Sequence, residues 1–286
     1  MTYVCRRIVR AGAAWLLAAL GPTASLGLTA SLALAGSLAV SASLALALPA
    51  RAQAARVLVM GPGGHVTARQ DPFVQAGEPI AAPAPTPRAT PRATLASARP
   101  TKAKKKPLQK TVASELKRLL TSGAISSSQY GTYNSSFNAA LSAERRLRGT
   151  RATELEAVIT NLHNIAVAGK LTPGRLPVLF QTLDRNREWW TTGPLLTSGQ
   201  YVEFSDSQLL WEYYAGQGIE LQVLGSFGKA DGLYTAGPAD YAQLESLLAQ
   251  IIPLAVNRAG GLVWEYYFRF DGGVPPWTSA MSQGTG

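Results

Sequence analysis

The sequence predicts a mainly helical protein with a small β portion. Three observations carry this. Apolar residues recur at three- and four-residue spacing through residues 108–192. Aromatic and alternating runs broken by glycine take over at 193–236. Helical spacing then returns after Gly237-Pro238.

The chain opens with Arg6, Arg7 and Arg10, followed by an uncharged stretch from Ala11 to Ala50. It closes on two A-x-A sites, Ala50-Arg51-Ala52 and Ala52-Gln53-Ala54. Residues 1–54 therefore read as an export signal cleaved after Ala52 or Ala54, which places the protein outside the cell or on its surface. The alternative is an uncleaved anchor, because the apolar run exceeds the roughly 20 residues that span a bilayer. Residues 55–107 read as a disordered Pro- and Lys-rich linker. Gly61-Pro62-Gly63-Gly64, the Pro-rich run Ala82 to Thr94 and the cluster Lys104 to Lys106 offer little to a core. The lysines serve either as a solvated tether or for attachment to an anionic cell envelope.

In the helical region 108–192, Val112, Leu116 and Leu119 share one face, and Gly123 ends that helix. Ser126 to Ser128 offer caps to a second helix bearing Tyr130, Tyr133, Phe137 and Leu141. Leu155, Val158, Ile159, Leu162 and Ile165 mark a third, with Thr153 and Glu156 at capping-box spacing. Thr172-Pro173 starts a fourth, carrying Leu176, Leu179, Phe180, Leu183 and Trp190.

The β segment 193–236 contains Tyr201 to Phe204, Leu209 to Tyr214 and the alternating run Ile219 to Leu224. Tyr241, Leu244, Leu247, Leu248 and Ile251 then form a helix that Pro253 ends. A strand is expected from Val263 to Phe270. The tetrapeptide Trp-Glu-Tyr-Tyr occurs twice, at 211–214 and 264–267, with unlike flanks.

The formal net charge is +10. Its distribution argues against nucleic acid as a partner. Residues 1–110 hold 14 Lys and Arg against 2 acids, leaving 13 against 15 acids in residues 111–286. A basic face on the folded part is the usual footprint of nucleic-acid binding, and the composition does not supply one. The single cysteine, Cys5, lies in the leader, so the mature chain has no thiol for disulfides, zinc or nucleophilic attack. Gly216 and Gly218 lack the third glycine of a dinucleotide fingerprint. Gly225-Ser226-Phe227-Gly228 has the wrong glycine spacing for a nucleophile elbow. His163 is a lone helix histidine, read as structural. No cofactor or metal is expected. Among the carboxylates, Glu212 and Glu265 stand out, because each sits among aromatics where burial would raise its pKa.

Two stretches resemble the D-glucuronyl C5-epimerase family, specifically its C-terminal-domain group. Trp211 to Gly228, WEYYAGQGIELQVLGSFG, resembles the aromatic strand segment that precedes the helical domain. Trp277 to Gly284, WTSAMSQG, is similar to the aromatic-Ser-Ala-Met-x-Gln-Gly motif that opens a toroid helix. The resemblance covers roughly Tyr201 to Gly286.

It implies an incomplete (α/α) toroid, begun at 237–286 and truncated there, preceded by helical hairpins and an antiparallel β segment. It also implies an epimerase that inverts carbon 5 of uronic acid residues in an acidic, glucuronate-containing polysaccharide. The family's acid–base groups lie beyond the Ser-Ala-Met motif. No residue here carries over as catalytic, and the 286-residue chain by itself is expected to lack epimerase activity. Glu265, Tyr266, Trp277, Ser279 and Gln283 are the candidates for lining the substrate side, with Ser279 or Thr278 capping the last helix. The alternatives are a non-catalytic carbohydrate-binding or cell-surface helical protein, or a toroid-fold polysaccharide lyase or glycoside hydrolase.

Overall fold

The computed structural model describes residues 54–75, 108–270 and 272–286, with side chains from residue 111 onward in the first helix. The leader through Gln53, and with it the proposed signal, lies outside the described residues, as does the Pro- and Lys-rich run 76–107.

The first described residues correct the linker reading. β1 (Ala54–Met60) and β2 (Val66–Gln75) form an antiparallel hairpin, and Gly61-Pro62-Gly63-Gly64 is its turn. Glycine and proline cluster in hairpin turns as readily as in linkers, so composition alone misread this one. Val57, Leu58 and Met60 are buried, because β1 is covered on both faces.

Four helices follow: α1 (Leu108–Thr121), α2 (Ser127–Arg146), α3 (Thr150–Val167) and α4 (Leu176–Thr192). A capping box opens α2, with the Ser126 side chain on the Gln129 N–H and the Gln129 side chain on the Ser126 N–H. Two expected starts are corrected. α3 begins at Thr150 after Gly149, so Thr153 sits inside the helix and its hydroxyl bonds back to the Gly149 carbonyl. α4 begins at Leu176 with Arg175 at the cap position, and Thr172-Pro173 lies in the preceding turn.

Next come β3 (Tyr201–Phe204), β4 (Trp211–Tyr214) and β5 (Gly218–Leu221). They join the hairpin in one five-stranded sheet of order β2-β1-β3-β4-β5, parallel only between β1 and β3. The rest of the presumed β segment is α5 (Val223–Ala236). Val223, Phe227, Ala230 and Leu233 are its buried stripe at helical spacing. Gly225, Gly228 and Gly232 all lie inside this helix. Two of them are packing glycines: a Cβ on Gly225 would lie 2.6 Å from Leu210, and one on Gly232 would lie 3.0 Å from Phe73.

α6 (Tyr241–Ile251) ends as expected, in a short 3-10 turn containing Pro253. β6 (Val256–Arg258) and β7 (Gly261–Val263) make a separate small hairpin. The expected strand Val263 to Phe270 is therefore corrected. Beyond Val263 the described residues make a single isolated bridge, Tyr266 to Trp277, before α7 (Ala280–Thr285). The architecture is a helical layer with a small, mostly antiparallel sheet and further helices.

Strand alternation sends two different sets of side chains to the two faces of the sheet. Leu58, Met60, Val202, Phe204, Trp211, Tyr213, Ile219 and Leu221 enter the main core with α1–α4. Trp189 meets Phe204, and Trp190 meets Tyr213, edge to face. The opposite face is mostly polar. One cross-strand row reads Arg69, Val57, Tyr201, Glu212, Glu220, and the next places Thr67, Val59 and Glu203 side by side. α5 crosses this face against β2, and α7 packs on α5.

Candidate functional site

On β4, Trp211 and Tyr213 turn to the helical core, which leaves Glu212 and Tyr214 on the polar face. Glu212 is buried. Its Oε2 accepts from the Tyr214 hydroxyl at 2.8 Å and from Gln222 Nε2 at 2.6 Å. Gln222 Nε2 also donates to the Tyr214 oxygen at 2.9 Å, which closes a three-membered cluster. No cation pairs with Glu212 among the described residues. Burial pushes its carboxyl above the ordinary range, and the bonds from Gln222 and Tyr214 only partly oppose this. The Tyr214 hydroxyl is raised strongly, first by burial and then by the neighbouring Glu212 charge.

Directly opposite Glu212 in the ladder stands Glu220. It is buried, its carboxyl has no hydrogen bond among the described residues, and burial raises it well above the usual carboxylate range. Two cross-strand carboxyl groups thus share a face, with Cβ atoms about 5 Å apart by ladder geometry. Burial thus favours the neutral form of Glu220 relative to a solvated carboxyl.

The C-terminal segment closes over this cluster. The Tyr266 hydroxyl shares a 2.7 Å bond with Ser282 Oγ, accepts the Leu224 N–H at 3.3 Å and reaches Gln222 Oε1 at 3.4 Å. Its ring stacks on Trp277 with centroids 4.5 Å apart and planes 17° apart. Phe268 lies 4.6 Å and Phe270 5.8 Å from the Tyr214 ring, centroid to centroid. The segments holding both Trp-Glu-Tyr-Tyr copies and the WTSAMSQG motif therefore meet at one place.

Tyr266, Trp277, Ser279 and Gln283, named from the sequence, sit around this place, but their polar atoms are largely engaged. Ser279 caps α7 as expected, its oxygen accepting the Ser282 N–H. Gln283 clasps the Trp264 backbone, taking its N–H at 3.1 Å and giving Nε2–H to its carbonyl at 2.9 Å. Trp277 donates its indole N–H to the Phe268 carbonyl at 2.7 Å, while its ring stays half-buried. Tyr266 is buried and is held by Ser282.

Glu265 requires a correction. Burial does act to raise its pKa, but Arg175 grips both carboxylate oxygens at 2.7 and 2.9 Å. Arg258 adds a contact at 3.3 Å and Tyr267 a hydrogen bond at 3.0 Å. Together they hold the carboxyl below its ordinary value.

Sequence reasoning singled out Glu212 without joining it to Tyr214, Gln222 and Glu220. A signal was available. With Glu212 inward on that face, strand period puts Tyr214 beside it, and an antiparallel return through Gly216-Gln217-Gly218 brings Glu220 and Gln222 alongside.

Other buried polar groups serve the framework. Glu154 accepts from the Tyr213 hydroxyl and from the Gly216 and Gly218 N–H groups, so α3 fixes the β4–β5 turn. Gly218 has φ +91°, and a Cβ there would lie 2.4 Å from Val158. Asn186 bonds both the N–H and the carbonyl of Ile219, which ties α4 to β5. Lys229, fully buried on α5, pairs with Glu203 at 2.7 Å and Asp71 at 3.5 Å, and Arg69 contacts both acids.

Among the described residues no helix is long and apolar enough to cross a membrane. Comparison with protein-family models, with curated proteins and with solved structures gives no match.

Proposed function

We propose that this chain is part of an exported carbohydrate-active epimerase that inverts carbon 5 of uronic acid residues in an acidic polysaccharide. One observation carries the reading. The two stretches that resemble the glucuronyl epimerases come together around a buried carboxyl, Glu212, whose pKa is raised and which is hydrogen-bonded to Tyr214 at 2.8 Å.

Such a pair suits proton abstraction next to a carboxylate. Tyr214 is half-buried and flanked by Phe268 and Phe270, a surface on which a sugar ring can stack. As the Tyr214 oxygen takes the proton from carbon 5, its own hydroxyl proton passes to Glu212 Oε2. The electron pair left by the broken C–H bond moves into the substrate carboxyl group. The raised pKa of Glu212 makes it a better acceptor for that proton, and Gln222 holds both partners in line. Reversal of the relay returns a proton to the same face. Inversion needs a second group on the other face, which the resemblance places on helices after the Ser-Ala-Met motif.

The expected result is exchange of solvent deuterium into carbon 5 of a glucuronate polymer without chain cleavage, and without inversion by this chain alone. Glu212→Gln and Tyr214→Phe should each lower the exchange by about 100-fold or more, the usual scale of acid–base assistance. Cleavage to an unsaturated end would make the protein a lyase instead. Retention on the polymer without exchange would make it a binder.

A further inference from the structure

Between the end of α3 and the loop before α7 lies a hollow of about 110 Å³. Asn161, Asn164 and Lys170 form one wall, and Arg269 with Val274 and Pro275 the other. We propose that this hollow binds a single oxyanion group, a carboxylate or a sulfate ester, on the polysaccharide chain. The inference rests on the reading of the protein as a uronate-polymer enzyme and adds a subsite to it.

The chemistry of the walls points to an anion. Neither Lys170 nor Arg269 makes an ion pair among the described residues. Arg175 and Arg258, nearby in the chain, are by contrast both committed to Glu265. Among the described residues the Asn164 side chain is also without a hydrogen bond, so it has an amide N–H to offer. The end of α3 does not use up these donors. Its carbonyls at Asn164, Ile165 and Ala166 are taken by the N–H groups of Ala168, Lys170 and Gly169. The cavity has room for one charged group and not for a sugar ring.

Its position links it to the relay. Gln217 Oε1 accepts the Arg269 N–H at 3.1 Å and Asn161 Nδ2 at 3.4 Å, so the β4–β5 turn holds the two walls together. Arg269 follows Phe268, whose ring lies against Tyr214. A polymer stacked over Tyr214 and Phe270 would carry the charged group of a neighbouring unit to this hollow.

Calorimetric titration tests it. The protein and its Lys170→Gln/Arg269→Gln variant are titrated at low salt with three oligosaccharides of equal length: a glucuronate-containing one, its sulfated form and a carboxyl-free glucose form. The variant should bind the charged oligosaccharides about tenfold more weakly and lose part of the salt dependence, as for two solvent-facing charge contacts. Lys170→Arg/Arg269→Lys should retain binding. Weakening towards the unsulfated oligosaccharide assigns the hollow to a carboxylate, and weakening confined to the sulfated form assigns it to a sulfate. Equal affinity of protein and variant overturns the proposal, as does equal weakening towards the neutral sugar or no binding of charged sugars by the unmodified protein. The readout is separate from catalysis. Exchange is measured apart, on Glu212→Gln, where it should fall by about 100-fold or more, so failure of the relay and failure of the subsite are told apart.

Discussion

The same four residues, Trp-Glu-Tyr-Tyr, occur twice in this chain and do opposite things. In both copies the glutamate is buried, and the second tyrosine donates its hydroxyl to it, Tyr214 to Glu212 at 2.8 Å and Tyr267 to Glu265 at 3.0 Å. The difference lies in what the fold brings to the other side. Glu265 meets two arginines, so its charged form is favoured and it ties the C-terminal segment to the start of α4. Glu212 meets a neutral amide and a phenol, so burial dominates and it holds a proton more tightly than a solvated carboxyl does. A motif specifies a carboxyl and its hydrogen-bond donor. Whether that carboxyl is held charged or pushed towards its neutral form depends on cations from elsewhere in the chain.

The sharpest way to break this contrast is Arg175→Met. It leaves Glu265 buried with only Arg258 and Tyr267, and should cost about 3–5 kcal/mol in urea denaturation, the scale for removing one partner of a buried pair. Adding Glu265→Leu should recover much of that loss, because the uncompensated charge goes with it. A loss of less than about 1 kcal/mol would mean that the pair is not a lock.

Glu212→Gln should be far milder, within about 1 kcal/mol of the unmodified protein at neutral pH, because no cation is stranded and the amide still accepts a hydrogen bond. A cost comparable to Arg175→Met would erase the distinction between the two copies. Tyr214→Phe should cost about 1 kcal/mol for its hydrogen bond to Glu212.

The two carboxyls should also give opposite pH dependence. Glu265, with its pKa depressed, contributes stability that is present above its unfolded pKa and lost as pH falls through the folded value. Glu212, with its pKa raised, binds its proton more tightly in the folded state. Stability is therefore lost as pH rises from the ordinary carboxylate range to the raised value. Denaturation curves across this range should show Glu265→Gln flattening the acid limb and Glu212→Gln flattening the opposite slope. The effect is the smallest of the set and also the most specific, since a change of the same sign in both variants would refute the contrast.

Much of the helical part was legible in the sequence. The stripes of α1 to α4 and α6 follow from apolar spacing, and such a stripe needs only some neighbour to cover it. The misreadings share a cause. Gly61 to Gly64, Gly225, Gly228 and Gly232 signal freedom of the backbone without saying what that freedom is used for. In the first case it turns a hairpin. At Gly225 and Gly232 it admits Leu210 and Phe73 against a helix. Close approach is a property of two segments, and one segment cannot announce it.

The sequence by itself determined which residues carry acid, amide and aromatic groups, and on β4 and β5 which of them alternate to a common face. The tertiary structure alone decided that Tyr266 and Phe268 close over Gln222 and Tyr214, and that Arg175, 90 residues away along the chain, holds Glu265 in its charged form. The physical reason is that a carboxyl's proton affinity is set by desolvation and by charges within a few ångströms. Both depend on packing between distant segments.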